Sequence, residues 1–126
     1  MIDFMKRHQA QTYASLRIVT GLMYFCHGSQ KMFGFPAEVR PGTPAWIIWT
    51  AGPLEVVGGI LLAIGFATRP VAFLSSGVMA VAYWMAHGHK ALLPMNNGGE
   101  LAAVYCFVFL FFSARGAGIW SIDGDD

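Results

Sequence analysis

The sequence predicts an all-α integral membrane protein, a four-helix bundle of antiparallel up-down topology. Three observations lead there. Of 126 residues, 56% are apolar and 12% are charged, and the mean hydropathy is +0.52; a soluble domain ordinarily carries about 25% charged residues. The apolar residues fall into four runs that lack the period-two alternation of a barrel strand, so only helices can satisfy their own backbone in lipid. Finally, one of these runs carries a single acidic group, Glu55, at its middle.

The first run spans residues 13–33. Lys6 and Arg7 precede it in the manner of a secretory signal, but no small-x-small cleavage site follows. The chain continues into Cys26-His27-Gly28-Ser29-Gln30-Lys31, so this run reads as a retained helix. The second spans 44–66 and contains Gly52, Gly58, Gly59 and Gly65. Together with Gly21 of the first run, these allow close approach of helix backbones. The third spans 70–87. The fourth, 99–114, is unbroken only from Leu101 to Phe112 and recruits its flanks from the interfacial zone. Each run is near the ~20 residues that cross a hydrocarbon layer. Trp46, Trp49 and Trp120 fall near the expected boundaries, as an aromatic belt requires. No repeat or low-complexity stretch divides the chain, which reads as one domain, residues 1–126.

With an even number of spans both termini share a side. That side holds Lys6, Arg7, Arg17, Arg69 and Arg115, against Lys31, Arg40 and Lys90 on the other. The bias places both termini in the cytoplasm and the protein in a bacterial inner membrane. The net charge of +1 and the absence of a Lys/Arg run offer nothing to nucleic acid.

The polar residues then sort into two sets. His27 and Lys31, spaced i, i+4, project from one face of the first helix. Glu55 lies mid-membrane, where a carboxylate is costly unless it is kept inside a bundle and paired. His87, His89 and Lys90 follow the outer end of the third helix, and Glu100 opens the fourth after Gly98-Gly99. His27, Lys31, Glu55, His87 and Glu100 are thus the candidate pocket, with Glu55 and His27 as proton-active groups and Lys31, His87 and Glu100 as ligand-binding groups. A purely structural alternative is that Glu55 and Lys31 only clamp two helices together. Arg17, Arg69 and Asp123 form the second set, expected to tie the tail to the bundle at the cytoplasmic face.

Metal and haem chemistry find little support. His87 and His89 lie on different faces of a continuing helix, no third ligand completes a chelate, and no C-x-x-C-H occurs. Cys26 and Cys106 fall at similar depth, which permits contact, but neither belongs to a C-x-x-C motif. No glycine set has the spacing of a phosphate loop.

Several motifs carry a resemblance. They are Arg17-x-x-x-Gly21, His27-Gly28-x-x-Lys31-x-x-Gly34, Glu55-x-x-Gly58-Gly59-x-x-Leu62 and Gly65-x-x-Thr68-Arg69. Asn97-Gly98-Gly99-Glu100 with Tyr105 follows, and then Gly116-x-Gly118-x-x-Ser121-x-Asp123. In this order they resemble the DoxX family of small four-helix membrane proteins, from about residue 15 to residue 123. The resemblance implies a place in membrane redox systems. The family takes its name from a subunit linked to thiosulfate:quinone oxidoreduction, and other members are associated with oxidoreductase assemblies or with oxidative-stress and thiol handling. If the chain is an enzyme, the expectation is a quinone-linked oxidoreductase subunit. Its partners are then the lipid bilayer and the proteins of a membrane redox assembly. Two other classes remain open: a non-catalytic assembly or binding protein, and a small-molecule transporter acting as a homo-oligomer.

Overall fold

The computed structural model describes residues 2–125. Four long helices carry the fold: α2 (Gln9–Phe33), α3 (Ala45–Ile64), α4 (Thr68–Tyr83) and α6 (Glu100–Arg115). Two short ones join them, α1 (Ile2–Lys6) and α5 (Pro94–Asn97). The sequence predicts only the long four. The extra turn at α5 follows from Pro94, which needs no amide partner at a helix start, and from Gly98, whose positive φ of 77° ends it. The third helical stretch changes geometry before the 70–87 run ends. It is α-helical to Tyr83 and then widens into a π turn, Trp84–Gly88, which contains His87. In the link between α2 and α3, residues 34–44, Pro36, Pro41 and Pro44 keep the chain out of helix.

The long helices associate as two antiparallel pairs. In the first, Gly21 of α2 faces Gly59 of α3, and Gly28 faces Gly52 and Val56. A Cβ on Gly59 would lie 2.5 Å from the Phe25 nitrogen and 2.7 Å from the Gly21 carbonyl oxygen, so the two backbones touch and only glycine fits. In the second pair, the Ser76 hydroxyl of α4 donates to the Cys106 carbonyl of α6 at 2.7 Å. Tyr24, Leu62, Ala72, Met79, Tyr105, Phe109 and Phe112 form the core where the pairs meet. Its members crowd toward the end that carries both termini.

Burial is inverted relative to a soluble protein. Arg17 is 0% and Glu55 3% exposed, and Thr20, Ser29, Thr68, Ser75, Ser76 and Asn97 are also buried. Trp49, Leu74 and Phe107 are 66–68% exposed and belong to an apolar surface that runs over all four long helices. So large a surface is stable only against lipid or a partner. Two helical stretches, Ala45–Ile64 and Thr68–Gly88, are long and apolar enough to cross a membrane.

The end carrying the termini is closed by an unusually complete set of main-chain hydrogen bonds. At the α3 C-terminus, Gly65 (φ 68°) lets the chain reverse, so that Phe66 N–H reaches the Leu61 carbonyl at 2.9 Å and Gly65 N–H the Leu62 carbonyl at 3.2 Å. The Leu62 and Ala63 carbonyls accept from Arg17 Nη1 at 2.8 Å each. Arg17 Nε donates to the Ala117 carbonyl at 2.7 Å, and Nη2 to the Ile119 and Trp120 carbonyls at 3.0 and 2.8 Å. All five guanidinium donors of Arg17 are therefore used, all on carbonyls. The tail adds Ile122 N–H to the Ile64 carbonyl and Asp123 N–H to the Gly65 carbonyl. Arg69 donates to the Ser113, Ala114 and Arg115 carbonyls at the end of α6. Asp123 accepts from Ala67 N–H at 2.9 Å and Thr68 N–H at 2.8 Å, where α4 begins. Cations thus sit at two helix C-termini and an anion at an N-terminus, as the helix dipoles favour.

Two measurements follow from this end of the molecule. Arg17→Met should lower stability in detergent by about 3 kcal/mol or more, since it strands buried carbonyls. Arg17→Lys, with three donors for five acceptors, should fall between; thermal unfolding reads both. The second concerns pH. Burial raises the Asp123 carboxyl, but hydrogen bonds from Thr68 and Ala67, with the Arg17 charge behind them, outweigh it and hold its pKa below the ordinary carboxylate value. The native state therefore binds this proton more weakly than the unfolded chain. Its stabilising contribution is complete above the unfolded pKa of about 3.9 and is lost as pH falls through the lower folded value. Asp123→Asn should accordingly melt earlier than the parent near neutral pH, with the gap closing on acidification. Equal melting at neutral pH would show that Asp123 does not stabilise the tail.

Candidate functional site

Away from the termini the two helix pairs part, and a cleft of about 1170 Å³ opens between them. Its walls are mostly apolar, with Trp46, Ile47, Leu54, Phe73, Leu74, Val81 and Leu101 among them. Polar groups are set among them. They include His27 and Lys31 from α2, Glu55 from α3 and His87 from the π turn after α4.

The geometry begins with α2. Tyr24, His27 and Lys31, at i, i+3 and i+7, share the helix face turned to the cleft. Lys31 Nζ lies 2.8 Å from Glu55 Oε2 and forms the one ion pair that reaches into the helix packing among the described residues. The carboxylate side chain is 4% exposed and the ammonium side chain 20%. Glu55 can sit at this depth because Gly28 opposite lets the backbones approach: a Cβ on Gly28 would lie 2.8 Å from the Glu55 Cβ. The His27 ring meets Tyr105 edge-on, with centroids 5.9 Å apart, and Tyr105 stacks on Phe109 at 5.5 Å. At the far rim, His87 Nδ1 lies 3.2 Å from the Asn97 carbonyl oxygen. Asn97 is itself buried and donates to the Tyr83 hydroxyl at 2.8 Å and the Ala91 carbonyl at 3.1 Å, so the α5 loop is pinned above the cleft.

Four of the five candidate pocket residues therefore line one cleft, and one does not. Glu100 is exposed in the first turn of α6 and is absent from the cleft wall. The helix N-terminus favours a carboxylate there without any ligand. Cys26 is exposed, Cys106 half-buried, and both are free thiols; the Cys106 Sγ lies 3.4 Å from the Ser76 hydroxyl. Among the described residues, no three His, Cys, Asp or Glu side chains gather as a metal site. Sequence reasoning overlooked Tyr24, Gln30 and Arg40 in the cleft wall and passed over Tyr105 except as part of a motif. The i, i+3 step from Tyr24 to His27 is the signal that could have found the first. Arg40, in an irregular link, leaves no periodic trace.

The ion pair makes a sharp prediction. Lys31→Met alone leaves a buried carboxylate unpaired and should cost about 3–5 kcal/mol in unfolding experiments in detergent. Adding Glu55→Met should restore most of that loss, since apolar residues of similar volume often replace a buried pair at little cost. Equal stability of Lys31→Met and the parent would show that the pair is not formed.

Comparison with known proteins supplies the context. The DoxX family profile matches residues 13–88. An uncharacterized protein of Haemophilus influenzae is 38% identical over 125 residues, 94% of this chain and 93% of its own. CatD of Bacillus subtilis, provisionally designated an oxidoreductase, is 33% identical over 63 residues, 47% of each chain. A second uncharacterized Haemophilus influenzae protein is 29% identical over 94 residues, 75% of this chain and 61% of its own. No solved structure matches. The family match covers more than half of the chain, including Arg17, His27, Lys31, Glu55 and Arg69, and the relative of nearly full length agrees with it: the chain belongs to the DoxX family of membrane proteins.

Proposed function

We propose that this protein is a four-helix integral membrane subunit or accessory of a quinone-linked oxidoreductase system, and that the cleft holds the redox-active lipid. In this reading α2, α3, α4 with its π turn, and α6 cross the bacterial inner membrane with both termini cytoplasmic. The cleft then lies in the outer half of the bundle. The oxidoreductase designation of the Bacillus subtilis relative supports the reaction class.

The observation that carries the reading is the placement of Lys31–Glu55 in the wall of a largely apolar cleft beside His27. An interhelical clamp alone needs no open space next to it. A quinone does, because it needs apolar walls for its tail and polar groups at its ring. Reduction of the ring to the quinol takes up two electrons and two protons. Glu55 and His27 would supply protons at the ring oxygens, and Lys31 would offset negative charge there. The electrons come from a partner redox protein in the same membrane assembly, and the quinone is the cofactor that carries them on.

Glu55→Gln tests this directly. It keeps the volume and a hydrogen-bond acceptor for Lys31 but removes the titrating group. Expression and folding should survive while quinone-dependent electron transfer in membranes is abolished. Loss of folding together with activity would instead make Glu55 a structural residue, and retained activity would remove it from the proton path.

A further inference from the structure

His87 is presented to the cleft by an uncommon piece of backbone. After Tyr83 the chain leaves the α-helix for a π turn, Trp84–Gly88, a form that is rare and occurs mostly at functional sites. Met85, Ala86 and His87 of this turn all line the cleft. Gly88 closes it. A Cβ at that position would run into the Trp84 ring, so the indole packs directly over the glycine and holds the turn in shape.

The neighbouring loop fixes the state of the imidazole. The buried Asn97 side chain accepts from Gly99 N–H at 2.8 Å and donates to the Tyr83 hydroxyl and the Ala91 carbonyl. Asn97 is thus anchored on three sides, and its own backbone carbonyl stands at a set place. His87 Nδ1 lies 3.2 Å from that carbonyl oxygen. A carbonyl can only accept, so Nδ1 carries a proton, and in the neutral ring Nε2 is then an unprotonated acceptor. Among the described residues Nε2 has no hydrogen-bond partner. Unlike the sealed hydroxyls of Tyr24 and Tyr105, it belongs to a half-buried side chain of the cleft wall and is open to a ligand.

We propose that His87 Nε2 accepts a hydrogen bond from a ring-borne hydroxyl of the molecule in the cleft, and so recognises the reduced, quinol form. This rests on the reading of the cleft as a quinone site and adds to it the group that tells hydroxyl from carbonyl. A neutral Nε2 accepts from a hydroxyl and offers nothing to a carbonyl oxygen, whereas Lys31, which only donates, has the opposite preference. His87 is here a binding residue, with Nδ1 spent on the loop and Nε2 on the ligand.

The test uses the full chain in mild detergent at mildly alkaline pH, which keeps imidazole neutral. The probes are a decyl-substituted benzoquinone and its quinol, titrated anaerobically by calorimetry, with thermal unfolding as the control for stability. His87→Asn keeps an amide donor at the place of Nδ1 and removes Nε2. It should weaken quinol binding about fivefold, the worth of one hydrogen bond. Quinone binding and the melting temperature of the ligand-free protein should stay as in the parent. An unchanged quinol affinity, or an equal loss for both probes, overturns the assignment of His87 and leaves the quinone reading intact. If His87→Asn does not fold, the parent decides: the dimethyl ether of the quinol, which cannot donate, should bind about fivefold more weakly than the quinol, and equal binding overturns the assignment. A parent that binds neither quinone nor quinol overturns the quinone reading and the assignment with it.

Discussion

The fold depends on one side chain, Arg17, and on a constraint that lipid imposes. A helix ends with carbonyls that have no partner in their own helix, and within a membrane no water is at hand to supply one. Arg17 supplies five hydrogen bonds at once, two to the end of α3 and three to the tail that follows α6. It therefore joins the first helix, the second and the last segment of the chain at a single buried point. Lysine could not do this. Its ammonium has fewer donors and no planar fork to spread across two separate segments. Arg69 and Asp123 extend the same logic to the end of α6 and the start of α4.

Locking one end of the molecule has a consequence at the other. Because α2 is fixed in register and depth against α3, the face bearing Tyr24, His27 and Lys31 is aimed without further support, and Lys31 meets Glu55 within one turn of the α2 C-terminal link. The helix pairs need not close on each other along their whole length. They close around Phe109 and Phe112 near the termini and separate beyond Tyr105, and that separation is the cleft. A rigid base with an open far half is a reasonable way to hold a lipid-soluble molecule in four helices. The tail of such a ligand can lie among apolar side chains while its polar end reaches the buried ion pair.

Much of this was legible in the sequence because membrane physics leaves few options. Long apolar runs had to be helices, and a carboxylate at Glu55 had to find a cation, for which Lys31 was the nearest at matching depth. Arg17, Arg69 and Asp123 were recognisable as one group by their common side. What the sequence could not show were features without periodicity. The five-carbonyl arrangement around Arg17 depends on how residues 116–123 fold back, and glycines and a left-handed Trp120 (φ 57°) hide that path. The π turn at Trp84–Gly88 interrupts the α-helical spacing and left no sequence signal of its own, although His87 within it still reaches the cleft wall. Glu100 looked like a pocket residue because it is acidic and on the right side, yet one helical turn decides whether such a residue faces the cleft or the surroundings.

The most direct test of the account is an oxidised-minus-reduced difference spectrum of the protein purified in mild detergent, with the extracted lipid quantified alongside. The account predicts a quinone signal at close to one per chain, retained by the parent protein and lost when the cleft is filled. A featureless spectrum from protein that still carries its native lipids, with no quinone in the extract, would contradict it and would make the Lys31–Glu55 pair part of an assembly or binding surface instead.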